Sequence, residues 1–118
     1  MDLEIKRGPE CLFVKICTEH GKTESYELAD EIWGLLEQHL TYRLVLDLES
    51  VKLLDSLLVG QLIALRKKIV ENRGMIKLCG LSTSNQKVLH THRLESHLPH
   101  YPTRHAAIMR EYQAGREL

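Results

Sequence analysis

The run Leu44-Val45-Leu46-Asp47-Leu48 carries almost no polar alternation. A strand with one face in water alternates apolar and polar side chains, whereas a strand covered on both faces need not. This segment therefore calls for a layer on each side, as in parallel sheets with helices packed against them. Its neighbours supply those helices. From Ser25 to Leu40, Leu28, Ile32, Leu35 and His39 share one stripe, with Ala29, Trp33, Leu36 and Leu40 beside it. That spacing predicts an amphipathic helix capped by Thr23 or Ser25, with Asp30 and Glu31 in its first turns. A second helix is predicted from Leu57 to Asn72, with Leu58, Leu62, Leu65 and Ile69 as its core stripe and Arg73-Gly74 as its C-cap signal.

Met75-Ile76-Lys77-Leu78-Cys79 is the next strand, closed by Gly80. Thr83 and Gln86 then have capping-box spacing for a third helix, to which Val88 and Leu89 bring apolar contacts. Leu94 to Pro99 reads as a short return to the sheet edge, and Thr103 is placed to cap a final helix through Ala106, Ala107, Ile108 and Tyr112. Ahead of all this, Leu3–Lys6 and Cys11–Cys17 flank Arg7-Gly8-Pro9-Glu10, the pattern of two strands joined by a turn. The order is β-β-α-β-α-β-α-β-α. It predicts one small α/β domain over residues 1–118, with a mixed sheet and about four helices.

Composition narrows the function. The 16 Lys and Arg balance 16 Asp and Glu, and the pI is near 7.1. A nucleic-acid binder carries a positive excess to neutralise phosphates, so that class is not expected. The apolar stretches run to a few residues, against ~20 for a membrane span. No apolar run follows the charges of Asp2-Leu3-Glu4-Ile5-Lys6-Arg7, as a secretory signal would require. Three cysteines without a CxxC pair suit reduced thiols, and the expectation is a cytoplasmic protein.

Few residues suggest chemistry. His90, His92, His97, His100 and His105 crowd the last third, but their spacing matches no zinc motif, and they read as surface histidines. No glycine-rich phosphate loop follows a strand, and no GxSxG elbow is present. Neither a metal, a cofactor nor catalysis is expected. Asp47 and Glu49 read as polar residues of a strand end, and Arg66-Lys67-Lys68 as a solvated helix face. Asp55-Ser56 stands apart because it opens a helix directly after the most buried strand. Both residues cap helices routinely. The same helix N-terminus also tolerates an anion, so a phosphate on Ser56 is compatible with the fold and adds about −1.5 to −2 charge. Leu57, Gly60, Gln61, Ala64 and Lys68 lie together one step round from the core stripe, a small and partly apolar face for a switched docking surface. Gly60 costs the helix ~1 kcal/mol relative to Ala, which predicts a close-packing role for it.

The stretch from Leu44 to Ser56 resembles the signature of STAS domains, named for sulphate transporters and anti-sigma factor antagonists: a strand ending in Asp-Leu, a short spacer, then Asp-Ser opening a helix. The likeness continues through Arg73-Gly74, Leu78-Cys79-Gly80-Leu81-Ser82, Leu94–Leu98 and Ala106-Ala107, over roughly residues 10–110. The resemblance implies a non-enzymatic switch protein of the anti-sigma factor antagonist type. Such a protein binds an anti-sigma factor that is also its serine kinase, and phosphorylation undoes the complex. It implies Ser56 as phosphoacceptor with Asp55 beside it. Gly21 and Glu24 fall where the family often has Gly-x-x-Asp at the kinase-facing surface. The chain departs from the family by Leu57-Leu58 where a small hydroxyl residue and Gly usually follow, and by Glu for Asp at position 24. A second reading is an accessory subunit docking on the ATPase of an ABC-type lipid transporter from the cytoplasmic side. A third, from another class, is a small nucleotide-binding or enzymatic domain. A homodimer is left open.

Overall fold

In a computed structural model, the chain is described over residues 2–17 and 27–109. Five strands form one sheet in the order β1-β2-β3-β4-β5: β1 Asp2–Gly8, β2 Cys11–Cys17, β3 Arg43–Asp47, β4 Met75–Cys79 and β5 His100–Tyr101. Helices α1 Leu28–Gln38, α2 Ser56–Glu71 and α3 Thr83–Thr91 occupy the three crossovers, and residues 104–109 are helical (α4). β1 runs antiparallel to β2 and every other pairing is parallel, so the sheet is mixed as expected.

The strand order explains why Leu44–Leu48 lacks alternation. Successive right-handed crossovers between neighbouring strands stack α1, α2 and α3 on one face. There Leu12, Val14 and Ile16, Leu44, Leu46 and Leu48, and Ile76 and Leu78 meet Ile32, Leu36, Leu58, Leu62, Leu65, Ile69 and Leu89 in the main core. Each such burial is worth roughly 1.5–3 kcal/mol. On the opposite face Cys11, Phe13, Val45 and Cys79 pack with Ala107 of α4. Lys77 also points to this second face, where its ammonium donates to the Ala107 carbonyl at 3.0 Å and lies 5.3 Å from the Tyr101 ring centre.

Several local expectations need correction. The predicted caps Thr23 and Ser25, together with Gly21 and Glu24, lie outside the described residues, as does Tyr112. α1 ends at Gln38 rather than Leu40. Leu40 leaves the apolar stripe because it is the residue after the C-cap, at φ 56°, and is 91% exposed. Arg73 and Arg93 take the same left-handed place after α2 and α3, at φ 60° and 56°. In each case the next residue's N–H reaches back to the helix: Thr41 to Leu36 O at 3.1 Å, Gly74 to Ile69 O at 2.8 Å and Leu94 to Leu89 O at 2.9 Å. Gly74 is thus glycine for room and not for a positive φ, since a Cβ would stand 2.0 Å from the Tyr42 carbonyl oxygen.

α3 is capped one residue earlier than the capping-box spacing predicts: Ser82 Oγ accepts from the Asn85 N–H at 3.1 Å. Leu94–Pro99 is a turn rather than a strand. Leu98 N–H donates to Leu94 O at 2.8 Å, and the edge strand is His100–Tyr101. Thr103 does cap the last helix, its Oγ1 accepting from the Ala106 N–H at 3.1 Å.

Candidate functional site

The residues around Ser56 are held from below by buried polar groups. At the end of β3, Asp47 is buried and not a solvated strand end: its Oδ1 accepts from the Glu49 N–H at 2.9 Å and turns the chain. Leu48 N–H extends the ladder to Cys79 O at 2.9 Å, and Leu48, Val51 and Leu54 drop into the core. Asn85 of α3, fully buried, holds the rest of the loop. Its Oδ1 accepts from the Leu54 N–H and its Nδ2 donates to the Val51 carbonyl, both at 2.9 Å. One side chain thereby satisfies two buried backbone groups that the loop has no ladder to satisfy.

Asp55 then caps α2, its Oδ1 accepting from the Leu58 N–H at 2.8 Å. Because Asp55 does the capping, Ser56 is left as the first helical residue with an exposed side chain. Leu53, just before the cap, is 66% exposed, and Leu57 is 44% exposed. Gly60 and Ala64 are exposed along the same side of the helix. The result is an exposed hydroxyl at a helix N-terminus, with exposed Leu53 and Leu57 close by in the chain and exposed Gly60 and Ala64 one and two turns further along α2.

The other two members of the predicted face have structural duties. Gln61 Oε1 accepts from the Ala29 N–H at 2.9 Å, satisfying a backbone donor in the first turn of α1, where Glu27 supplies no side-chain cap. Lys68 Nζ donates to Asp30 at 3.2 Å and stands 6.0 Å from the Trp33 ring centre, so it ties α2 to α1. Trp33 in turn stacks on Tyr42 at 5.2 Å. The predicted close-packing reason for Gly60 is absent, since a Cβ there would meet nothing within 4 Å. Nor is Arg66 simply solvated: its Nε donates to the His97 carbonyl at 2.9 Å.

The sequence reading missed three residues here. Ile63, 46% exposed, stands seven residues after Ser56 and therefore extends the same side of α2. That periodicity was a usable signal. Leu53 and Asn85 gave none, because their roles depend on the loop's path over α3. Among the histidines, exposed His90 pairs with Glu95 at 2.7 Å, and no three metal-ligating side chains converge among the described residues. On the second sheet face burial pushes the Cys79 thiol up to about 12, with the Asp47 carboxylate adding to the effect, and burial likewise raises the Cys11 thiol. Burial, and then neighbouring Arg43, lowers the Lys77 ammonium.

A family model described as "STAS domain" matches residues 3–107. Solved structures share the fold at low identity. An anti-sigma-factor antagonist (STAS) domain protein from Planctomyces limnophilus is 21% identical, with a TM-score of 0.79 covering 92% of this chain and 97% of that one. A Ser-to-Glu variant of RsbS from Moorella thermoacetica is 13% identical, with a TM-score of 0.80 covering 98% and 99%. The phosphorylated form of the Bacillus cell fate determinant SpoIIAA is 17% identical, with a TM-score of 0.69 covering 92% and 98%. No curated protein sequence matches.

Proposed function

The chain belongs to the STAS domain family, and on that premise we propose that it is a non-catalytic, cytoplasmic regulator of the anti-sigma factor antagonist type. It binds an anti-sigma factor with serine kinase activity, and phosphorylation of Ser56 releases it. The observation that carries this reading is the exposed Ser56 hydroxyl, spared from capping by Asp55 and set among exposed Leu53, Leu57, Gly60 and Ala64. The solved relatives support it, since one is captured in its phosphorylated form and another carries an acidic residue in place of a serine.

The physical switch is simple. Unmodified, the apolar rim around Ser56 is surface that a partner gains by covering. A phosphate there faces the positive end of the α2 dipole, so the domain keeps its fold. It also sets about −1.5 to −2 charge beside the Asp55 carboxylate, in the middle of the contact. Burying that charge unpaired against an apolar partner costs ~3 kcal/mol, a loss of roughly a hundredfold in affinity. Asp55, Gln61 and Lys68 contribute by fixing the cap and the α1–α2 packing beneath the contact, and Glu24 is assigned to the same partner-facing surface by the family pattern.

The test is a titration of the partner recovered from native-host lysate against three forms of the chain. Wild type and Ser56→Ala should bind alike, and Ser56→Asp about a hundredfold more weakly. Equal affinity of all three removes the phosphoswitch, and recovery of transporter ATPase subunits in place of a kinase removes the transcriptional role.

A further inference from the structure

Among the described residues β1 has no strand beside it at one edge of the sheet, and its exposed residues Glu4, Ile5, Lys6 and Arg7 are self-complementary in one register only. We propose that β1 pairs antiparallel with β1 of a second copy, giving a weak two-fold dimer with one continuous sheet. This contact is separate from the Ser56 surface, which lies two strands away, after β3.

The register follows from hydrogen-bond geometry. Only Pro9 and Glu10 separate Gly8 from Cys11, so that closing pair exchanges both of its backbone hydrogen bonds. Antiparallel pairs alternate, so Glu4 and Lys6 also turn their backbone groups toward β2, opposite Lys15 and Phe13. Leu3, Ile5 and Arg7 therefore direct N–H and C=O outward, to the open edge. A two-fold axis between copies passes through one of these three or through the non-hydrogen-bonded positions between them, and centred on Glu4 or on Lys6 it sets two like charges directly opposite each other. Centred on Arg7, it sets two arginines directly opposite each other. Centred on Leu3, it sets Asp2 opposite Glu4. Centred on Ile5, it makes Ile5 a hydrogen-bonded pair with its own copy and sets Glu4 opposite Lys6 twice, as close non-hydrogen-bonded pairs. Ile5, 43% exposed, is then covered by its symmetry mate on the side that faces the helices.

A strand of seven residues buries less than a standard interface, so the dimer's Kd is on the order of 100 µM. Sedimentation equilibrium from roughly 10 to about 500 µM should show wild type passing from monomer to dimer. Glu4→Lys and Lys6→Glu each turn two attractive pairs into two repulsive ones, and each alone should weaken dimerisation tenfold or more. An equimolar mixture of the two variants should dimerise again, because each then faces the opposite charge. Ile5→Pro removes an outward N–H that β2 does not use, and should abolish the dimer while leaving the melting curve cooperative. If either charge variant fails to fold, Ile5→Pro alone decides. A wild-type chain that stays monomeric throughout, or a dimer indifferent to these changes, overturns the proposal.

Discussion

Replacing Asn85 by leucine tests how the Ser56 loop is held. The two side chains are close in size, so the change removes hydrogen bonds without opening a large cavity. It strands the Leu54 N–H and the Val51 carbonyl, both now satisfied at 2.9 Å by a fully buried side chain. Each buried group left unpaired costs ~1–3 kcal/mol, and leucine recovers part of this through apolar burial, so the net loss is about 3 kcal/mol. For a domain of this size that lowers Tm by about 12 °C. Urea denaturation reads the global loss, and amide exchange at Leu54 reads the local one. Asn85→Asp supplies the control. A protonated carboxyl keeps both bonds, while a carboxylate cannot donate to Val51 and is buried unpaired, so burial raises its folded pKa. The sign is fixed: the folded state binds the proton more tightly, and stability falls as pH rises above about 4. A loss below ~0.5 kcal/mol in Asn85→Leu, with Leu54 exchange unchanged, would refute the reasoning.

Glycine placement gives a second prediction. Gly60 lies inside α2, where an added Cβ meets nothing, so Gly60→Ala should stabilise the chain by about 0.5–1 kcal/mol. Leu40 holds a left-handed φ of 56° at an exposed helix end, so Leu40→Gly should gain ~1 kcal/mol, both read by thermal unfolding. Thiol chemistry gives a third. Ellman's reagent should modify half-buried Cys17 in the native chain and reach buried Cys11 and Cys79 only after denaturation. The Cys79 thiol ionises at about 12 when folded and near 9.0 when unfolded, so the unfolded state loses its proton first and Cys79 removes stability as pH climbs above 9.0. Cys79→Ala should flatten that slope.

The sheet was legible because buried strands and amphipathic helices carry different periods, and the runs at Leu44–Leu48 and Met75–Cys79 fall nowhere else. Asp55 and Ser56 were legible for a related reason: a capping residue directly after a buried strand marks a helix N-terminus in any crossover. Leu94–Pro99 was misread because Leu94 and Leu98 bring apolar weight to the core from a turn, at a spacing of four rather than two. Ser82 and Thr83 are adjacent hydroxyls that satisfy the same local rule, and only backbone geometry chooses between them. Leu40 looked like the last residue of an apolar stripe because periodicity does not see the turn that ends the helix. Asn85 was invisible for a deeper reason. Its partners lie 31 and 34 residues away, and its importance comes from what the loop lacks, not from any pattern around it.

The account's central claim is that Ser56 is the phosphoacceptor whose modification ends a protein complex. The most direct measurement incubates the chain with its captured kinase partner and ATP, maps the phosphosite by mass spectrometry and follows the complex by size exclusion. Phosphate on Ser56, with loss of the complex in step with its incorporation, is the predicted result. Phosphate at another residue, or a complex that survives full modification of Ser56, would contradict it.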